Sequence, residues 1–358
     1  MGKVVFILGA GASKEAGAPL MGEFLDVAAQ MLATGAVEPV ASAFTNVFRG
    51  ISALQVVHSK SQLDLVNIEA IFSAFEMART LERFPGRDAS EIEKLVSDLK
   101  TLIVWTLQNS FGVRHRENRL HGPDIYSRFA DLVLHLRDRS PLRKDVGVIT
   151  FNYDLGLDLG LGFAGLKPNY HLDSNDGQGI PLLKLHGSLN WGACAKCGQI
   201  VPIGLADVLN RNSLLRMSTE EFFLNPSGEF QRHTHCGVQL SQEPAIVPPT
   251  WNKEDYHRSI AAVWRRAAGE LAAAEDIFVI GYSLPRTDEF FRYLFALGSA
   301  GDSLLRRFWV INPDASGSVN DRFQTLLGPG AIARYQYLQM NFSQAIGVIQ
   351  NLYRTSEG

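Results

Sequence analysis

Two patterns of apolar residues alternate along the chain. The first is a set of short, continuous runs rich in β-branched residues: Val4-Val5-Phe6-Ile7-Leu8, Val146-Gly147-Val148-Ile149-Thr150-Phe151, Leu182-Leu183-Lys184-Leu185, Ile277-Phe278-Val279-Ile280, Phe308-Trp309-Val310-Ile311 and Tyr335 to Leu338. Runs without a polar alternate predict strands buried on both faces. Pro244-Ala245-Ile246-Val247 reads as one more, cut off by Pro248-Pro249. The second pattern has helical spacing. It holds Ile68, Ile71, Phe72 and Phe75, then Ile92, Leu95, Val96, Leu99, Leu102 and Ile103, then Ile125, Phe129, Leu132, Val133 and Leu136. Residues 20–143 therefore read as a mostly helical insertion between the first two strands. Trp264 and Leu271 mark a helix ending near Ala274, Thr287 and Asp288 open another, and Ser343 to Tyr353 is the last. Strands alternating with helices predict an α/β fold with a doubly wound parallel sheet, in one domain over 1–358.

The polar residues that interrupt this pattern collect at strand ends. The first strand runs into Gly9-Ala10-Gly11-Ala12-Ser13, with a later glycine at Gly17. Such a turn lets backbone approach a ligand and can aim helix N-terminal N–H groups at a phosphate; it can also be a tight strand-to-helix turn with no ligand. The second strand ends in Asn152-Tyr153-Asp154 and the third in His186-Gly187-Ser188. Later strands end in Gly281-Tyr282-Ser283 and Asn312-Pro313-Asp314. In an open parallel sheet these carboxyl ends share one crevice, where ligands bind. His186 is a candidate base or a residue that merely packs. Asp64, Asn67 and Glu69 either cap the helix that follows or reach the crevice.

Composition narrows the class. The chain has 358 residues, 46% hydrophobic and 20% charged, with a net charge of −3, the balance of a folded protein without a basic surface for nucleic acid. No apolar run reaches membrane-spanning length and no cleavable leader pattern opens the chain, so a cytoplasmic protein is expected. Its three cysteines are Cys194, Cys197 and Cys236. Cys194-Ala195-Lys196-Cys197-Gly198 and His233-Thr234-His235-Cys236-Gly237 share a knuckle pattern. Cys194, Cys197, His233 and Cys236 are the expected ligands of a structural Zn2+, with His235 competing for the place of His233. The zinc-knuckle module would span 191–243.

In this order the motifs resemble the sirtuin family, and within it the bacterial sirtuin-like branch associated with antiphage defence. The resemblance rests on Gly9-Ala10-Gly11-Ala12-Ser13, Thr150-Phe151-Asn152-Tyr153-Asp154, His186-Gly187, the knuckle pair, Gly281-Tyr282-Ser283-Leu284 and Ile311-Asn312. It implies a Rossmann-like domain that binds NAD, with a zinc module and a helical module over the pocket, and cleavage of the nicotinamide–ribose bond. Gly9, Ala10, Gly11 and Ser13 would hold the pyrophosphate and adjoining ribose. Asn152 and Asp154 would line the nicotinamide-ribose pocket, and His186 would be the base. Gly281, Ser283 and Asn312 would contact the adenosine half.

The chain departs from the deacylase pattern of that family in three places. Phe151 stands where a Gln is expected, Leu20-Met21 replaces Phe-Arg, and Pro248-Pro249-Thr250 replaces Phe-Gly-Glu. Two successive prolines cannot donate the N–H bonds by which a peptide is added as a strand. Water then becomes the expected acceptor, and an NAD hydrolase yielding ADP-ribose and nicotinamide is the expected activity. The alternatives are a protein deacylase or ADP-ribosyltransferase, and a non-catalytic NAD or ADP-ribose sensor. The resemblance also implies a homo-oligomer and an accessory subunit such as a ring-shaped bacterial ATPase.

Overall fold

The computed structural model describes residues 2–55, 63–110, 112–116, 119–139, 143–173, 178–209, 221–224, 226–247, 259–285, 288–299 and 303–355. Pro248, Pro249, Thr250 and Thr287, on which expectations were placed above, lie outside them. In chain order the elements are β1 (Lys3–Leu8), α1 (Ala10–Lys14), α2 (Phe24–Ala33), α3 (Ala41–Gln55), α4 (Ile68–Thr80), α5 (Ala89–Gln108), β2 (Val113–Arg116), β3 (Arg119–His121), α6 (Asp124–Leu134), β4 (Asp145–Thr150) and α7 (Gly156–Phe163). There follow β5 (Pro168–Asn169), β6 (Ile180–Lys184), β7 (Gly187–Cys194), β8 (Ile200–Pro202), β9 (Glu221–Phe222), α8 (Ser227–Phe230), β10 (Thr234–His235) and β11 (Val238–Ile246). The last part holds α9 (Ala261–Ala273), β12 (Asp276–Ile280), α10 (Glu289–Gly298), β13 (Arg307–Ile311), α11 (Ser318–Leu326), α12 (Pro329–Ile332), β14 (Tyr335–Leu338) and α13 (Phe342–Thr355).

The central sheet has seven strands in the order β14-β13-β12-β1-β4-β6-β5. All six neighbouring pairs run parallel. The chain starts in the middle at β1, builds β4 and β6 to one side, then returns to lay β12, β13 and β14 on the other. The order reverses at β1, which opens a crevice at the carboxyl ends of β1, β4 and β12. Each central strand is buried on both faces, as its unbroken apolar run requires. Val4, Phe6 and Leu8 pack with α6 and α13 through Phe129, Val133, Phe342 and Ile346. Val5 and Ile7 face Val263, Leu271 and Phe291 of α9 and α10 on the other side.

Helices α2 to α5 form a separate core over the carboxyl end of the sheet, around Phe24, Phe44, Phe72, Phe75, Leu95 and Leu99. That core continues without a break into the small module, through Cys194, Phe230 and Leu240. Helix α5 opens on a capping box, in which Asp88 accepts from the Glu91 N–H and Glu91 accepts from the Asp88 N–H. At α4 the Asn67 side chain accepts from the Glu69 N–H at 2.9 Å, while Asp64 Oδ1 accepts from Val66 and Asn67. These residues cap the helix, and Glu69 also lines the central cavity.

The structure extends the expected strands. The segment after His186 is strand β7, and β11 is nine residues long, pairing antiparallel with β7. Its register shifts twice, at Leu240/Pro244 and Pro244/Ile246. Pro244 thus sits at a bulge inside the strand, a place where a missing N–H is tolerated. Strands β2, β3 and β9 form a further small antiparallel sheet that the helical-looking insertion did not announce.

Candidate active site

A cavity of about 370 Å³ lies at the carboxyl end of the sheet, where the strand order reverses. Ala10, Gly11, Ser13, Asn152, Asp154, His186, Gly281, Ser283 and Asn312 all line it, so the motifs of five strand ends meet around one space. Helices α4 and α5 roof it with Ile68, Glu69, Ile103 and Leu107. Gly9 stands behind the wall. Its missing side chain is required by protein rather than by ligand: a Cβ there would come within 2.5 Å of Tyr282 Cα. Gly281 has φ +64°, and a Cβ on it would meet Ala12 N at 2.3 Å. The turn is thus locked against the end of β12 by backbone contact that only glycine permits.

The same packing uses some of the turn's donors. Gly9 N–H donates to the Ile280 carbonyl, Gly11 N–H to the Gly281 carbonyl and Ala12 N–H to the Gly9 carbonyl. Helix α1 is only five residues long. Three of the turn's N–H groups are therefore engaged within the protein, and the short helix brings little dipole.

Beneath the turn lies a closed polar network. Asn152 Nδ2 donates to the Gly9 carbonyl at 2.9 Å and to Ser13 Oγ at 2.8 Å. A carbonyl only accepts, so this fixes which end of the amide is nitrogen and leaves Oδ1 as the group Asn152 can present to the cavity. Ser13 Oγ donates to Asp154 Oδ2 at 2.6 Å and lies 2.7 Å from Tyr126 OH. Because the Ser13 proton goes to Asp154, Tyr126 is the donor in the second bond. Asp154 Oδ1 accepts from the Gly156 N–H at 3.0 Å. Burial pushes the Asp154 carboxyl up, against the pull of the Lys184 ammonium and the bonds from Ser13 and Gly156. Lys184 is itself 1% exposed and donates to the Asp154 carbonyl at 2.6 Å and to Asp158 at 2.9 Å.

The opposite wall is built differently. The His186 carbonyl accepts from the Val247 N–H at 2.7 Å, which anchors the loop to the end of β11. Its ring packs against Phe151 and Tyr153, with centroids 5.1 and 6.0 Å away. Its Nε2 lies 3.8 Å from Asp288 Oδ1, and Tyr282 OH donates to the other oxygen of Asp288 at 2.7 Å. Phe151 stacks on Tyr282 at 4.1 Å, so the aromatic residue in place of the expected Gln forms the floor between the turn and His186. Asn312 Oδ1 accepts from the Asp314 N–H at 3.0 Å, and the Ser283 carbonyl accepts from Arg322 Nε at 2.8 Å. Tyr126, Tyr282 and Asp288 were not legible as site residues. Tyr126 lies on a helix stripe, and Asp288 had only the signature of a helix-opening residue.

A second cluster lies in the small module. The ligand atoms of Cys194, Cys197, His235 and Cys236 all fall within 4.8 Å of one another. This corrects the expected set: His235 takes the place assigned to His233. The reason is the turn between β10 and β11, where Cys236 and Gly237 both have positive φ, 55° and 77°. That turn directs His235 and Cys236 to the same side as Cys197. His233 precedes it and faces α8, its Nδ1 3.1 Å from the Glu229 carbonyl. The four residues fit zinc. Bonds of about 2.3 Å give a tetrahedron with edges of about 3.7 Å. Here Cys236 Sγ to Cys197 Sγ is 3.7 Å, and His235 Nδ1 lies 3.5 and 3.3 Å from Cys197 and Cys236. Three thiolates and an imidazole complete the coordination of one ion, which makes the site structural.

No family model matches the chain, and no curated protein does. Among solved structures it is similar to a crystal structure of a Sir2 homologue with NAD, at 16% identity over 99% of this chain and 91% of that one, with a TM-score of 0.43. It is also similar to a mutant Sir2 homologue in complex with ADP-ribose, at 15% identity, 99% and 92% coverage and a TM-score of 0.42. A third is a Sir2 with a p53 peptide and NAD+, at 13% identity, 99% and 94% coverage and a TM-score of 0.41. Among the described residues no helix is long and apolar enough to cross a membrane.

Proposed function

We propose that the chain is an NAD hydrolase, which cleaves the nicotinamide–ribose bond with water to give ADP-ribose and nicotinamide. The observation that carries this reading is the meeting of the Gly9–Ser13 turn, Asn152, His186, Gly281 and Asn312 on one cavity at the point where the sheet reverses. The dinucleotide would lie along the carboxyl ends of β12, β1 and β4. Its adenosine half would run toward Ser283 and Asn312, its pyrophosphate past Ala10 and Gly11, and its nicotinamide ribose toward Asn152 and His186.

The lining suits a reaction that passes through positive charge. Glu69, Asp154 and Asp288 are acidic, and among the described lining residues none is Lys or Arg. A cationic nicotinamide ring and an oxocarbenium-like transition state are both favoured there. Asn152 Oδ1 would orient a ribose hydroxyl or the attacking water, held by the two bonds of its amide nitrogen. His186 would take the proton from that water or hydroxyl. Asp154 would act through Ser13, whose hydroxyl it fixes, to shape the pocket around the nicotinamide. In this reading the enzyme would deplete NAD in antiphage defence, assembled as a homo-oligomer or on an accessory subunit such as a ring-shaped ATPase. The test is to incubate purified protein with NAD, with and without acetyl-lysine peptide, and to resolve the products by chromatography. Nicotinamide with equimolar ADP-ribose, unchanged by peptide, is expected. Acetyl-ADP-ribose as the main product would make it a deacylase, and no nicotinamide release would make it a sensor.

A further inference from the structure

We infer that Asp288 is the positioning residue of His186, a buried carboxylate aimed at the imidazole to hold its protonated form. The inference rests on the reading of His186 as the base. Asp288 follows β12 and opens α10, whereas His186 follows β6, so two separate strand ends bring them together. The carboxylate is 2% exposed and has two distinct sides. Oδ2 accepts from Tyr282 OH at 2.7 Å, and Oδ1 faces His186 Nε2 across 3.8 Å. Tyr282 is in turn fixed by its stack on Phe151, and that ring contacts His186 edge-on. The triangle of Phe151, Tyr282 and Asp288 therefore sets both the plane of the imidazole and the charge beside it. In the resting enzyme the 3.8 Å gap is too long for a hydrogen bond. When His186 takes a proton, the pair becomes imidazolium and carboxylate at ion-pair distance, in a site mostly closed to water. The charge created by the base is then met by a fixed partner.

Other groups around the ring could oppose or share this role. Glu69 faces the same cavity from α4, and Tyr153 and Asp154 from the loop after β4. Arg292, on α10, acts on Tyr282 through its charge. Lys184, two residues before His186 on β6, directs its ammonium away, onto the Asp154 carbonyl and Asp158. Asp154 is held by Ser13 and Gly156. Asp288 lies at ion-pair distance from Nε2 and is oriented by the Tyr282 hydroxyl.

The test is the titration of His186 followed by ¹⁵N NMR of histidine-labelled protein, read beside the pH profile of nicotinamide release. A carboxylate at this distance favours the charged imidazole. In Asp288→Asn, which keeps the shape and can still accept from Tyr282, His186 is expected to titrate about one pH unit lower. The acid limb of kcat should move the same way, and the plateau kcat should fall about tenfold with little change in KM. Tyr282→Phe keeps the ring stack and removes only the hydroxyl, so it should move both readouts in the same direction by less. If wild-type protein hydrolyses NAD and neither variant moves the His186 titration, the pairing is wrong. If the titration moves but wild-type protein releases no nicotinamide, the pairing stands and the hydrolase reading fails.

Discussion

The two ends of the central sheet use their charged and polar groups in different ways. At the amino end every charge named below meets a counter-charge. Asp276, 0% exposed, is held by Arg306 at 3.1 Å, Arg307 at 2.9 Å and Tyr353 OH at 2.7 Å. Lys3 bridges Asp145 at 2.7 Å and Glu270 at 2.5 Å, and Arg266 closes on Glu270 at 2.6 Å. At the carboxyl end one wall is equally closed, through Asn152, Ser13, Asp154 and Tyr126. The other wall gathers Glu69, Asp288 and His186 around the cavity, and among its described lining residues none is Lys or Arg. Breaking a buried pair at the amino end leaves a charge uncompensated and costs stability. Titratable groups gathered on a cavity are where chemistry is expected.

The metal cluster stands outside both ends and gives the largest expected effect. Structural zinc contributes about 10–16 kcal/mol of apparent binding energy in small modules. Metal analysis should find about one zinc per chain. Chelation or Cys197→Ser should lower the melting temperature through the module whose core joins that of α2 to α5. Metal-free protein that melts unchanged would remove zinc from the structure's support.

Next comes the amino end. Asp276→Ala should cost about 3 kcal/mol in urea unfolding, the low end for a broken buried pair because Arg306 and Arg307 keep access to water. NAD turnover of the folded fraction should be unaffected. A large loss of turnover without loss of stability would contradict the division between the two ends. Asn152→Ala inverts the pattern. It removes two bonds that fix the Gly9–Ser13 turn and the group presented to the ribose. Nicotinamide release should fall at least ~10²-fold, because misplacement of reacting groups alone reaches that size. Its melting temperature should fall modestly for the two lost hydrogen bonds while the protein stays folded, and a collapse would show that the network is chiefly structural.

The smallest effect belongs to Asp314, at the rim of the carboxyl end. Bonds from the Ser316 hydroxyl, then the Val319 and Ser316 N–H groups, hold its carboxyl down to about 2. A depressed acid contributes stability above its ordinary value, and that contribution is lost as pH falls toward the folded one. Wild-type protein should therefore exceed Asp314→Asn slightly in stability above pH 4, by well under about 1 kcal/mol for so exposed a group. The two should converge near pH 2. A gap that persists at pH 2 would place the effect elsewhere.

What the sequence disclosed follows from how local each signal is. The inner strands of the central sheet, β1, β4, β6 and β12, are buried on both faces, so their apolar runs stand out without any partner. The strand-end motifs were legible for the same reason, since Gly9–Ser13, Asn152, His186 and Gly281 each adjoin such a run. Partners supplied from far along the chain were not. Tyr126 reaches Ser13 across 113 residues, and nothing in its own neighbourhood distinguishes it from the helix stripe it sits on. Asp288 meets His186 only because α10 starts beside the loop after β6. The choice between His233 and His235 turned on two positive φ angles in one hairpin, a detail that ligand spacing alone does not carry. Strands β2, β3 and β9 escaped because they are two to four residues long and largely polar.

The measurement closest to the central claim separates binding from reaction in one variant. His186→Ala should still bind NAD by calorimetry, because Ala10, Gly11, Ser13, Asn152, Ser283 and Asn312 still line the cavity. Its nicotinamide release should fall by ~10²–10⁴, the usual contribution of a general base. Binding retained with hydrolysis lost is the predicted result. Hydrolysis at the wild-type rate in His186→Ala would contradict a reaction at the open wall of this cavity.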